Sequence, residues 1–242
     1  MSNSVKKFCS WPKVFLFGDS ITQFSFSKAG CWGSLISDYL QRKCDVISRG
    51  FSGYNTRWCN IILPSVLDAA IAKETVAMTV FLGANDSTEP DLNPRQHVPL
   101  EEYKQNLKDI INFAMSQGIS REKIILISPP AFHADSWAVI CKQRGKVLSK
   151  NNENTEIYAQ ACCQVADEMG TKKVDLYSEM MKTEDFTVLL DDGLHLSEKG
   201  SQLLFDKLQP IIEKLTAHLP AAWFPFHDQV DLEHLEKSLL SF

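Results

Sequence analysis

No apolar run in this sequence approaches the ~20 residues that a membrane-spanning helix needs; the longest near-apolar stretch covers residues 76–84. A basic cluster is also missing. Lys and Arg number 25 against 30 Asp and Glu, a net charge of −5, which argues against a phosphate-binding face and so against a nucleic-acid partner. The seven cysteines (Cys9, Cys31, Cys44, Cys59, Cys141, Cys162 and Cys163) contain no C-x-x-C pair. An odd, scattered set fits free thiols in a reducing compartment, not a disulfide framework or a zinc site, so the expected location is cytoplasmic. Lys6 and Lys7 ahead of Phe8 have the look of a leader, but Pro12 and Lys13 interrupt the apolar run and no small-x-small cleavage site follows.

What remains is ordinary globular composition, 44% hydrophobic and 23% charged over 242 residues, enough for one large core. No polar linker and no internal repeat divides it. Short apolar runs at 14–17, 45–48, 76–82, 123–128 and 174–176 read as five strands. The third and fourth barely alternate, as central strands covered on both faces should. Helical patterns fall between them at 32–42, 56–72, 99–117, 154–169 and 197–218, the last with Ser197 as N-cap. Such alternation predicts an α/β fold, three layers with a central, mostly parallel five-stranded sheet. Residues 129–152 resist assignment and read as a long loop with a short helix, where a lid over a substrate would sit.

In this architecture ligands bind at the carboxyl ends of the strands, and four motifs arrive there. Gly18-Asp19-Ser20-Ile21-Thr22 follows the first strand, placing a serine hydroxyl at a strand end. Taken alone it equally describes a turn or a helix cap. Arg49-Gly50-Phe51-Ser52-Gly53-Tyr54-Asn55-Thr56 follows the second, and its glycines permit close backbone approach. Gly83-Ala84-Asn85-Asp86 follows the third and offers a side-chain amide, or else an Asx-turn capped by Asp86. Asp191-Asp192-Gly193-Leu194-His195 precedes the last helix; its D-x-x-H spacing lets a carboxylate fix an imidazole tautomer, although an isolated pair of this kind is more often structural. Together the four supply a hydroxyl, a base, an orienting carboxylate and amide donors, which are the components of acyl transfer.

This set, G-D-S-I, the Gly53 motif, G-A-N-D and D-G-L-H, resembles the GDSL or SGNH hydrolase family in order and position along nearly the whole chain. The segments 49–58, 97–100 and 190–196 are similar to those of isoamyl acetate-hydrolysing esterases and their animal homologues. Ile21 replaces the leucine of the family name, and Arg49 stands where many members carry asparagine. The resemblance implies a flavodoxin-like SGNH fold in a single domain over residues 1–242, with 219–242 as a C-terminal helical extension packing on it. It implies Ser20 as nucleophile, His195 as base and Asp192 as its orienting partner. The oxyanion hole would comprise the Ser20 and Gly53 amides and the Asn85 side chain. No metal or organic cofactor is required. The expected substrate is a small carboxylic ester, acetate-type, in lipid degradation. Alternatives are a lysophospholipase, thioesterase or platelet-activating-factor-type acetylhydrolase and, from another class, a non-catalytic small-ligand-binding protein.

Other residues are read more plainly. His133 follows the fourth strand and is taken as a loop histidine, with a place in the site as the alternative. Arg57 is expected in a structural ion pair, and Cys162 and Cys163 in core packing. Leu232, Leu235 and Leu239 form a stripe expected to pack back on the domain; a homodimer contact or an acyl-pocket wall are the alternatives.

Overall fold

The computed structural model describes residues 10–28 and 31–240. In chain order they form β1 (Lys13–Gly18), α1 (Ser20–Gln23), α2 (Trp32–Tyr39), β2 (Asp45–Gly50), α3 (Thr56–Val66), α4 (Ala69–Glu74), β3 (Thr75–Phe81) and α5 (Leu100–Ser116). There follow β4 (Ile124–Ile127), α6 (Ala134–Gln143), α7 (Asn152–Met169), β5 (Lys172–Val174), α8 (Leu176–Met181), α9 (Glu198–Thr216) and α10 (Leu235–Leu240). The strands make one five-stranded sheet, order β2-β1-β3-β4-β5, parallel throughout.

The apolar runs behave as expected for a sheet covered on both sides. Val14 and Leu16 of β1 face one core with Trp32 and Ile36 of α2 and Leu204, Leu208 and Ile212 of α9. Phe15 and Phe17 face the other, with Cys59 and Leu63 of α3, Leu107 and Ile110 of α5 and Val165 of α7. Ile125 and Ile127 against Ile124 and Leu126 split β4 the same way. These are the three layers. Each fully buried leucine, isoleucine or phenylalanine contributes about 1.5–3 kcal/mol of transfer free energy, so both layers of helices are held by the sheet and not by helix propensity.

Local polar groups shift two of the expected elements. The helix expected over 56–72 is two, because Leu67 is extended and the Asp68 carboxylate accepts the Ile71 amide at 2.8 Å, restarting the chain as α4. The fifth strand lies at Lys172–Val174, not 174–176; Asp175 accepts from the Ser178 amide at 3.1 Å and turns Leu176 into the first residue of α8. The 129–152 segment is, as expected, a long loop with one short helix, the ten-residue α6.

The leucine stripe of the tail does not pack back on the domain: Leu232 is 81% exposed and lies ahead of α10, whose six residues are too few for a continuous apolar face. The contact is made earlier. The Trp223 amide donates to the Arg42 carbonyl at 2.8 Å and its indole N–H to the Lys43 carbonyl at 2.9 Å. The Arg42 guanidinium meets the carbonyls of Trp223, Phe224 and Pro225 at 2.9–3.2 Å and lies 4.4 Å from the Phe226 ring centre. Among the described residues no helix is long and apolar enough to cross a membrane.

Between β1 and its two neighbours the winding of the chain reverses, and there the carboxyl ends of β1 and β3 open a crevice. The first and third motifs are at its lip.

Candidate active site

β1 ends at Gly18, and the next carboxylate starts a helix: Asp19 Oδ1 accepts the Ile21 amide at 2.9 Å. Ser20 is thereby the first residue of α1, where backbone N–H groups have no partner inside the helix. The opposite end of the chain delivers the histidine. Asp191 N–H donates to the His195 carbonyl at 2.8 Å, and Leu190 bridges Leu196, closing a tight loop. Inside it, Asp192 Oδ1 accepts the Leu194 amide at 3.0 Å and the His195 amide at 2.8 Å, while Oδ2 lies 2.8 Å from His195 Nδ1. His195 Nε2 lies 3.0 Å from Ser20 Oγ.

An ionised carboxylate only accepts, so this network assigns the ring proton to Nδ1 and leaves Nε2 to accept from the serine hydroxyl. Burial pushes the Asp192 carboxyl up, but hydrogen bonds from the His195 ring and from the Leu194 and His195 amides outweigh it and hold the group below its usual range. Phe24 and Trp137 stand edge-on to the imidazole, both with centroids at 5.8 Å, and fix its plane from two sides.

Gly193 makes this loop feasible. Its φ is +93°, and a Cβ there would come within 2.5 Å of the His133 carbonyl and 2.8 Å of the Trp137 amide. The entrance to α6 is pressed against it, with His133 N–H donating to the Gly193 carbonyl at 2.9 Å. Gly193→Ala is therefore expected to push His195 off Ser20, lowering kcat by ~10², the usual cost of an ångström-scale misplacement. Thermal denaturation of the same variant should show a loss of about 1–3 kcal/mol for the strained backbone.

Ser20, Gly53, Asn85 and His195 all line one cavity of about 620 Å³. Asn85 Nδ2 donates to the Tyr54 carbonyl at 2.9 Å, leaving its second N–H for another acceptor. Gln96 Nε2 donates to the Gly53 carbonyl at 2.8 Å and to Asn85 Oδ1 at 3.3 Å, tying together the second and third motifs. Gly53 itself has φ +81°. Asp192 and His195 also border a smaller, more apolar cleft of about 180 Å³ with Ile21, Phe24, Trp32 and Leu196.

A charged layer supports these loops from below. Asp86 does not face the cavity; its Oδ1 takes both the amide (2.9 Å) and the hydroxyl of Thr56, fixing the start of α3 directly after the Gly53 loop. Lys150 donates to the Ala84 carbonyl beside Asn85. Desolvation dominates here: burial lowers Lys150 to about 8 and raises Asp19 to about 7 and Asp86 to about 6, while attraction between Lys150 and the two acids opposes all three shifts. Nothing in the sequence pattern marks Gln96, Trp137 or Lys150 as part of the site. Gln96 and Lys150 lie in irregular segments, and Trp137 lies on α6, in the stretch whose sequence pattern resists assignment.

Of the other candidates, Arg57, Cys162 and His133 take the places expected, whereas Cys163 is half-buried and outside the core that holds Cys162. Arg57 makes a two-pronged pair with Glu102 at 2.6 and 2.8 Å, a structural role. Cys162 is buried in the core. His133 Nδ1 lies 2.8 Å from Ser136 Oγ, and its ring leans on Phe186, outside the wall of either cavity.

Residues 14–208 match the model of the GDSL-like lipase/acylhydrolase family. The chain belongs to that family. The GDSL hydrolase is accordingly a serine-type carboxylic ester hydrolase. It is 48% identical over 233 residues to the isoamyl acetate-hydrolyzing esterase 1 homolog of Mus musculus, covering 95% of this chain and 92% of that protein. The Homo sapiens counterpart is 47% identical over 231 residues, with 95% and 92% covered. Among solved structures, a lipase/acylhydrolase from Enterococcus faecalis superposes with a TM-score of 0.67 at 22% identity, covering 87% of this chain and 98% of that one, a likeness of fold.

Proposed function

We propose that this GDSL hydrolase cleaves short-chain, acetate-type carboxylic esters through an acyl-enzyme on Ser20. The observation that carries the reading is the unbroken path from Asp192 Oδ2 through the imidazole to Ser20 Oγ, with links of 2.8 and 3.0 Å. Ser20 Oγ attacks the ester carbonyl while His195 Nε2 takes its proton. Asp192 stabilises the imidazolium so formed. The negative oxygen of the tetrahedral intermediate is received by the Ser20 and Gly53 amides and by the N–H of Asn85 that does not bond Tyr54. The imidazolium then protonates the departing alcohol. Water, deprotonated by the same nitrogen, attacks the acyl-serine and releases the acid.

Space and likeness both favour a short acyl group. The smaller cleft, whose apolar lining is Ile21, Phe24, Trp32 and Leu196 beside the polar Arg144, Asp191 and Asp192, has about 180 Å³ for an acyl group against about 620 Å³ in the larger cavity. The similar mammalian proteins bear the name of an acetate-ester hydrolase. Residues 1–242 act as one hydrolase unit in this reading, and six free thiols among the described residues favour the cytosol as its place of work. Measurement of kcat/KM for esters graded in acyl length, with Ser20→Ala as control, tests the proposal. The expected result is a fall of at least ~10-fold beyond butyrate, since an acyl group that overfills an apolar pocket forfeits binding energy. Rates that rise with long acyl chains would replace it with a lysophospholipase-like activity.

A further inference from the structure

The larger cavity has an electrostatic character at odds with the chain as a whole. Although acids outnumber bases in the sequence, Arg95, Arg144, Lys146 and Lys150 line this cavity and no Asp or Glu does. Lys150 is already engaged, bonded to the Ala84 carbonyl and facing the buried Asp19 and Asp86. The other three are exposed, and none takes part in an ion pair among the described residues. The two arginines are nonetheless placed. The Arg95 guanidinium carbon lies 5.9 Å from the centre of the Trp58 ring, and that of Arg144 lies 5.9 Å from the Trp137 ring, which itself touches His195. A ring face orients a guanidinium without neutralising it, so the N–H edges stay available.

We infer that the ester this enzyme hydrolyses carries a negative charge on its alcohol portion, received by Arg95, Arg144 and Lys146 at the mouth of the larger cavity. The inference rests on the acetate-type reading above: an acetyl group carries no charged substituent, which leaves the alcohol, and of the three cations only Arg144 also borders the smaller cleft, beside Asp191 and Asp192. The shared chemistry is an anionic alcohol, carboxylate- or phosphate-bearing. A cleft lined by one sign of charge concentrates ligands of the other sign and raises their association rate by ~10–10³. After cleavage, screening by solvent at the open mouth lets the anionic alcohol leave.

The test compares the acetyl esters 4-acetoxybutanoate and 3-acetoxypropyl phosphate with the neutral 4-acetoxybutanamide. At low salt, kcat/KM for at least one anionic ester is expected to exceed that of the amide by ~10-fold or more. The faster of the two anions identifies the group received. That ratio should fall toward one in about 1 M NaCl, where the screening length is only ~3 Å. It should fall likewise in the triple variant Arg95→Gln/Arg144→Gln/Lys146→Gln. A wild-type ratio of one or less, with the amide hydrolysed normally, overturns this inference and leaves the esterase reading intact. So does a ratio above one that the triple variant retains. Failure to hydrolyse all three esters, together with no labelling of Ser20 by a fluorophosphonate, overturns the esterase reading and this one with it.

Discussion

Ser20→Ala and His195→Ala are each expected to lower kcat by a factor on the order of 10⁶, and the double variant to be no slower than either alone. The non-additivity follows from the proposed mechanism. Ser20 Oγ is a poor nucleophile unless its proton has somewhere to go, and the imidazole nitrogen 3.0 Å away has nothing to deprotonate once the hydroxyl is gone. Removing either group removes the same step. What survives in all three variants is transition-state binding by the amides, worth ~10³–10⁴ over water. Asp192→Asn should cost less, ~10⁴. Its one oxygen stays with the Leu194 and His195 amides, which sets an N–H against His195 Nδ1, so the imidazole is held poorly and its cation goes unsupported. Steady-state kinetics on a short-chain ester, with fluorophosphonate labelling as a second readout, checks the series. A Ser20→Ala protein that still turns over at a hundredth of the wild-type rate would remove Ser20 from the mechanism.

The strands and the outline of the site were legible in the sequence because both depend on local pattern. β3 and β4 are continuous apolar runs since their residues alternate between two buried cores. Ser20, Gly53, Asn85 and His195 stand out because a parallel sheet sends every strand's carboxyl end to the same side, so residues far apart in the chain meet there by topology alone. The misplaced boundaries have a common cause. Asp68 and Asp175 each cap a helix with a side-chain oxygen, a decision made by one hydrogen bond that outweighs the apolar pattern around it. Gln96, Trp137 and Lys150 could not be read in this way. Their places depend on contacts with Gly53, His195 and Ala84, none of them near in sequence. The leucines of the tail show the opposite failure: a helical spacing at Leu232, Leu235 and Leu239 with no surface for the stripe to cover.

Asn85→Ala is expected to lower kcat by ~10²–10³, or about 2.7–4 kcal/mol of transition-state stabilisation, with KM little changed. The two effects separate because the ester carbonyl oxygen carries a full negative charge only after Ser20 has attacked, and an N–H donor gains most at that point. The fold should tolerate the change. The Asn85 side chain gives up one bond to the Tyr54 carbonyl and one from Gln96, contacts worth about 1 kcal/mol each, so Tm is expected to fall by less than ~10 °C. Asn85→Asp discriminates further. It matches the amide in shape and still accepts from Gln96, yet it has no donor for the oxyanion and adds a charge of the same sign above the buried Asp19 and Asp86. If Asn85 acts by donating, Asn85→Asp will be at least as slow as Asn85→Ala. If it acts only by holding Gln96 in place, the aspartate will restore much of the rate.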